Sequence, residues 1–158
     1  MGQFSRAELE DAFKIYAATV KKATDTGNWR EWAEMFTEDA TYIEHAYGEF
    51  HGRAAIAEWI SKVMAPYPTM YFPQEWVAYD EPNDAIVMCV QNVLPHPTDA
   101  EKVFSFPNWT RLTYAGNSKF SREEDIYNPA KDAPAAIRAW LEAGGKFAAK
   151  EQVKMQHN

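Results

Sequence analysis

Glu44, Asn108, Asp125 and Tyr16 are the side chains of this 158-residue chain whose types and settings could do chemistry. Glu44 lies two residues after Tyr42 in the β-rich run Ala40 to His45, so the two share a face with Ala40 and Ala46. A carboxylate among apolar neighbours is disfavoured in its ionised form, which raises its pKa and suits it to take up a proton. His45 points the other way, so the adjacent Glu44 and His45 form no simple dyad. In the run Val103 to Tyr114, Asn108 alternates onto one face with Phe104, Phe106, Thr110 and Leu112. An amide on so apolar a face needs a hydrogen-bond partner or a ligand. Asn92 is set similarly, on a face with Ile86, Met88, Val90 and Leu94. Near the end of the last strand-like run, alternation puts Phe120 and Ile126 on one side and leaves Asp125 with Tyr127. Whether Asp125 or Glu124 faces inward stays open at this level.

Other chemistries find no residues. His45 and His51 flank a turn, His96 falls in a loop and His157 in the tail, and no His or Cys pair has metal-ligand spacing. No glycine-rich loop follows a strand in the manner of a phosphate cradle. No metal and no other cofactor is expected.

The elements that must position these groups read as follows. Ser5-Arg6-Ala7-Glu8 is a capping box, and Leu9, Phe13, Tyr16, Ala17 and Val20 form an apolar stripe behind it, so a helix should run to about Gly27. Asn28 caps a short second helix with Trp29, Trp32, Ala33 and Phe36 as its apolar face. A strand from Ala40, a turn at Gly48 and a return strand around Phe50 come next. A third helix carries Ile56, Trp59, Ile60, Val63 and Met64 and stops at Pro66. Strands at Met70 to Tyr79, Ile86 to Leu94, Val103 to Tyr114 and Phe120 to Tyr127 then form two hairpins, and a last helix from Asp132 ends at Gly144-Gly145. Helices gathered early and strands gathered late predict an α+β domain with an antiparallel sheet over residues 1–145, followed by a polar, loosely held tail over 146–158.

Composition narrows the function. A net charge of −7 argues against nucleic-acid binding and against a polybasic membrane contact. No apolar run approaches the roughly 20 residues of a membrane span, and the first residues carry no secretory pattern. The single cysteine, Cys89, has no internal disulfide partner. A cytoplasmic protein is expected. Aromatic residues make up 15% of the chain, with six tryptophans, which fits an aromatic-lined cavity for a small apolar molecule. Trp32, Trp59, Tyr42 and Met88 are expected in its walls, with Asn92, Phe104, Phe106 and Tyr127. Trp109, Val103 and Pro107 on the outer sheet face predict a homodimer.

The stretch Trp32-Ala33-Glu34-Met35-Phe36-Thr37-Glu38-Asp39-Ala40-Thr41-Tyr42, then Gly48 and Gly52-Arg53-Ala54-Ala55-Ile56, resembles the opening of the nuclear transport factor 2-like superfamily, and within it the SnoaL-like group. Trp109 to Tyr114, Ala115-Gly116-Asn117 and Glu124 to Asn128 fit the same pattern, so the resemblance spans about residues 5 to 143. It implies a cone: a curved antiparallel sheet closed by three helices of the N-terminal half and a C-terminal one, around one deep pocket. Counted from Phe36, Glu44 falls where ketosteroid isomerases place a carboxylate base; counted back from Ala115-Gly116, Asn108 falls where they place a protonated aspartic acid. Tyr16 lies one turn before the position of their helix-one tyrosine. In the polyketide cyclases of this group a single acidic residue suffices, and Asp125 is the candidate here. The epoxide-hydrolase relatives use two aspartates with an arginine between them, of which only Asp125 matches. The resemblance therefore implies a cofactor-independent isomerase, cyclase or dehydratase acting on a polyketide- or steroid-like carbonyl compound. A non-catalytic module binding a hydrophobic ligand is the alternative.

Overall fold

The Ser5 side chain accepts from the Glu8 amide while Glu8 reaches back to Ser5, so the capping box forms and starts helix α1 (Arg6–Thr26). Gly27 ends it in the left-handed region at φ 73°, which glycine occupies at no steric cost. The computed structural model describes residues 2–149 and 152–155, so His157 lies outside the described residues. Asn28 caps α2 (Trp29–Ala33). This helix is shorter than its apolar pattern suggests. The Glu34 and Met35 amides close tight turns onto Glu31 and Trp32, and Phe36, expected on the helix, opens strand β1 (Phe36–Glu44) by pairing with Phe120. Strand β2 (Gly48–His51) and helix α3 (Arg53–Met64) follow.

Strand β3 spans Gln74–Asp80 and starts later than its β-rich composition suggests. Tyr71 makes only an isolated bridge to Val93, and Pro73, which has no N–H, offers the sheet its carbonyl alone. A 3-10 turn at Glu81–Asn83 leads to β4 (Ala85–Pro95), then β5 (Val103–Gly116), β6 (Lys119–Ile126) and α4 (Asp132–Glu142). The six strands form one sheet in the order β2-β1-β6-β5-β4-β3. All pairs are antiparallel except β1 with β6. That parallel pair joins the first strands to the last and sets their inner faces side by side.

One face of the sheet packs on the helices. Phe36, Phe120, Leu9, Ile56, Ile86 and Leu112 are fully buried there. Each such side chain contributes about 1.5–3 kcal/mol relative to exposure. Where it is described, the tail touches the fold at three residues. Phe147 packs against Tyr67 and Trp140, the Ala148 amide bonds Pro66, and Val153 rests on the main core. Among the described residues no helix is long and apolar enough to cross a membrane.

Candidate active site

Register places the site. Across the parallel pair, Tyr42 lies beside Glu123 and Glu44 beside Asp125. Across β5 and β6, Leu112 faces Glu123 and Thr110 faces Asp125. Two inner-face rows result, Tyr42–Glu123–Leu112 and Glu44–Asp125–Thr110, with Asn108 one step further along β5. These polar groups share a cavity of about 580 Å³ whose walls are mostly aromatic and aliphatic. Trp32, Trp59 and Tyr16 close it on the helix side, while Met88, Asn92 and Phe106 close it on the sheet side. The Tyr42 ring sits between two indoles, at 6.2 Å from Trp32 and 4.9 Å from Trp59 between centroids.

Asp125 is the hub. Its Oδ1 accepts from Thr110 Oγ1 at 2.5 Å and from Asn108 Nδ2 at 2.9 Å, and its Oδ2 accepts from the Tyr42 hydroxyl. It keeps part of its surface open, toward the cavity that it lines. Burial pushes its pKa up, and the three donors offset part of that rise. Asp125 therefore faces the pocket, and Glu124 does not: Glu124 lies on the outer face with His45 and Arg122.

Glu44 closes the other end of the same row. Its Oε2 accepts from the Ala46 and Tyr47 amides, each at 2.7 Å. Burial raises its pKa, and the Tyr127 hydroxyl and those two amides pull it part of the way back.

Asn108, read from its apolar face as needing a hydrogen-bond partner or a ligand, has partners: its amide nitrogen donates to both Thr110 and Asp125, and its Oδ1 is buried without one. Tyr16 spends its hydroxyl hydrogen on Glu123 Oε1 at 2.9 Å, not on a ligand. Phe104 is absent from the cavity; it packs with Leu94 and Trp140 and stacks on His96, because the sheet's inner face has by then passed beyond the cavity.

Glu123 is the residue that the sequence reading missed. It is 2% exposed, and burial together with the Asp125 charge lifts its pKa well above the usual carboxylate range. The cause of the oversight is a bulge. Thr113 pairs with Arg122 and Tyr114 with Phe120, so Ser121 is an extra residue and parity flips across it. Phe120, Glu123 and Asp125 therefore all point inward, contrary to the expected separation of Phe120 from Asp125. Alternation counted back from Asp125 alone puts Glu123 on its face.

The family model for the SnoaL-like domain matches residues 17–117, and the chain belongs to that family. No curated protein matches it. Among solved structures it is similar to a nuclear transport factor 2-like protein of Anabaena variabilis, at 14% identity and TM-score 0.65, covering 84% of this chain and 98% of that one. It is also similar to a SnoaL-like polyketide cyclase, so described, of a Jannaschia species, at 16% identity and TM-score 0.55, covering 96% and 100%. An epoxide hydrolase of Mycobacterium tuberculosis shares 10% identity at TM-score 0.61, covering 85% of this chain and 93% of that chain. At such identities the likeness is one of fold.

Proposed function

We propose that this protein is a cofactor-independent acid–base enzyme that moves a proton on a small, uncharged, mostly apolar carbonyl compound, in an isomerisation, cyclisation or dehydration. The observation that carries this reading is Asp125, oriented by three side-chain donors and open to a cavity with apolar walls. Asp125 takes the proton next to the carbonyl, because its donors favour its ionised form. Glu44, its register neighbour, is raised by burial and by the Asp125 charge against the pull of its own donors, and gives a proton to the developing enolate oxygen. This reverses the role that the resemblance implies for Glu44, the carboxylate base.

The charge of the cavity supports a neutral substrate. Glu44, Glu123 and Asp125 line it, and among the described residues the only lining cation is Lys21, which pairs with Asp25. An anion would meet carboxyls with no counter-charge. No arginine lines it among the described residues, so an epoxide-opening mechanism built on one is not favoured.

A test is exchange of the α-protons of 2-tetralone, a flat apolar ketone, into deuterated water, followed by NMR. Asp125→Asn should slow exchange by about 10²–10⁴-fold, the usual worth of a positioned base. Glu44→Gln, which still offers a donor, should lose less. Equal exchange by wild type and Asp125→Asn would remove the proposal. The binding-module reading has one observation in its favour: Glu44 clamps the turn amides, a role that needs no reaction. Binding of 2-tetralone without any exchange would select it.

A further inference from the structure

We infer that Glu123 is a positioning residue that holds a proton behind Asp125, and that the Tyr42 hydroxyl joins the two. This deepens the acid–base reading and rests on it for the kinetic arm of the test only.

Glu123 and Asp125 are two residues apart on β6 with both side chains on the inner face. Tyr16 gives its single hydroxyl hydrogen to Glu123 Oε1, and Tyr42 gives its own to Asp125 Oδ2. Tyr42 is also the register neighbour of Glu123 across β1 and β6, with both side chains on the inner face. With its hydrogen committed, the Tyr42 hydroxyl can only accept from Glu123. Glu123 Oε2 is buried and receives no hydrogen bond. As an ionised oxygen it would be a charge stranded without a donor, the costliest arrangement in a dry interior. As an Oε2–H group it carries no charge and needs only an acceptor, a part we assign to the Tyr42 hydroxyl oxygen of the neighbouring strand.

The surroundings leave no other way to settle the charge. Helix α1 faces the pair with Tyr16, β1 with Tyr42 and Glu44, and β5 with Asn108 and Thr110, which do not titrate. Tyr127 and Tyr47 stand near Glu44, and Glu124 points outward. No lysine, arginine or histidine among the described residues contacts the pair by hydrogen bond or ion pair. Two adjacent carboxyls without a cation share a proton, and the one with three donors is the one that ionises. Glu123 keeps its proton throughout turnover. The proton leaving the substrate carbon goes to Asp125 and the C–H electron pair stays on the substrate as an enolate, with Tyr42 polarised by Glu123 steadying the carboxylate beforehand.

The experiment has two arms. Infrared spectra at neutral pH should show a protonated-carboxyl band that loses one residue's intensity in Glu123→Gln. An unchanged band in Glu123→Gln would overturn the proposal whether or not the protein turns over. The second arm is the pH profile of 2-tetralone exchange. Glu123→Gln donates to Tyr42 as the protonated acid does, so the acid limb should stay in place. Glu123→Leu removes that donor and should move the acid limb up by about one pH unit, a tenfold loss on the limb. Coincident limbs for Gln and Leu would refute the coupling. If Leu fails to fold, the infrared arm decides alone. If no form exchanges the ketone, the catalytic reading fails and the infrared result still judges the shared proton.

Discussion

Glu123→Gln should stabilise the protein at neutral pH, by an amount that grows with pH. A glutamate in the unfolded chain ionises near pH 4.3. In the fold, burial and then the Asp125 charge hold Glu123 well above that. The folded state therefore keeps a proton that the unfolded state has lost, so stability falls as pH rises between the two pKa values, which is opposite to the behaviour of a salt-bridged carboxylate. The slope is about 1.4 kcal/mol per pH unit for one proton wherever the unfolded glutamate has ionised and the folded one has not, so wild-type stability should fall through Glu123 as pH rises above about 5 for as long as the folded state keeps its proton. At 2% exposure, solvent screening does not dilute this. Glutamine has no such proton. Asp125 and Glu44 are raised in the same direction and remain in both proteins, so the difference between the two curves isolates Glu123. The assay is urea unfolding of both proteins at pH 5, 6 and 7, with equal m-values as the check on two-state behaviour. Stability curves that run parallel over that range would refute a protonated Glu123.

Asn108→Leu removes the 2.9 Å donor to Asp125 Oδ1 without stranding a charge, so the fold should survive and the acid limb of ketone exchange should move to higher pH; an unmoved limb would show that Asn108 does not support Asp125. Glu44→Leu leaves the Ala46 amide without an acceptor and the Tyr47 amide with only the Glu44 carbonyl at 3.2 Å, and should cost about 1–3 kcal/mol, whereas Glu44→Gln should stay within about 1 kcal/mol; thermal unfolding of both variants checks this. We also propose a homodimer through the outer sheet face, where Ile126, Trp109, Cys89 and Trp76 form one lateral row across four strands and Trp109 and Ile126 are each 54% exposed. Light scattering at micromolar concentration should give twice the monomer mass for the wild type and the monomer mass for Trp109→Ser; a monomeric wild type removes the proposal.

What could be read from the chain beforehand divides by the range of the interaction that decides it. The capping box at Ser5, the stop at Gly27 and the alternation of Tyr42 with Glu44 depend on neighbours a few residues away, and each took the form that its residues predict. The α2 boundary depended on a competitor: Phe36 had helical spacing, but the sheet offered it Phe120, and an edge-of-helix residue gains more from a strand partner and full burial than from one further turn. The parallel β1–β6 pair joins residues some eighty positions apart, and no local pattern signals it, yet it is what sets Glu44 beside Asp125. The same holds for direction within the site. That Asn108 needs a partner follows from its apolar face; that the partner is Asp125, which fixes the amide with its nitrogen inward to the carboxylate, follows only from the β5–β6 register. Glu123 shows the sharper lesson. Its face could be counted from Asp125, but counting from Phe120 gives the opposite answer, because the bulge at Ser121 inserts one residue between them. A bulge beside a cluster of buried carboxyls re-aims the strand so that a core aromatic and two acids share one face, which a regular strand of this sequence could not do. The irregularity is therefore part of the site: straighten it while Phe120 keeps its place in the core, and Glu123 and Asp125 turn outward together.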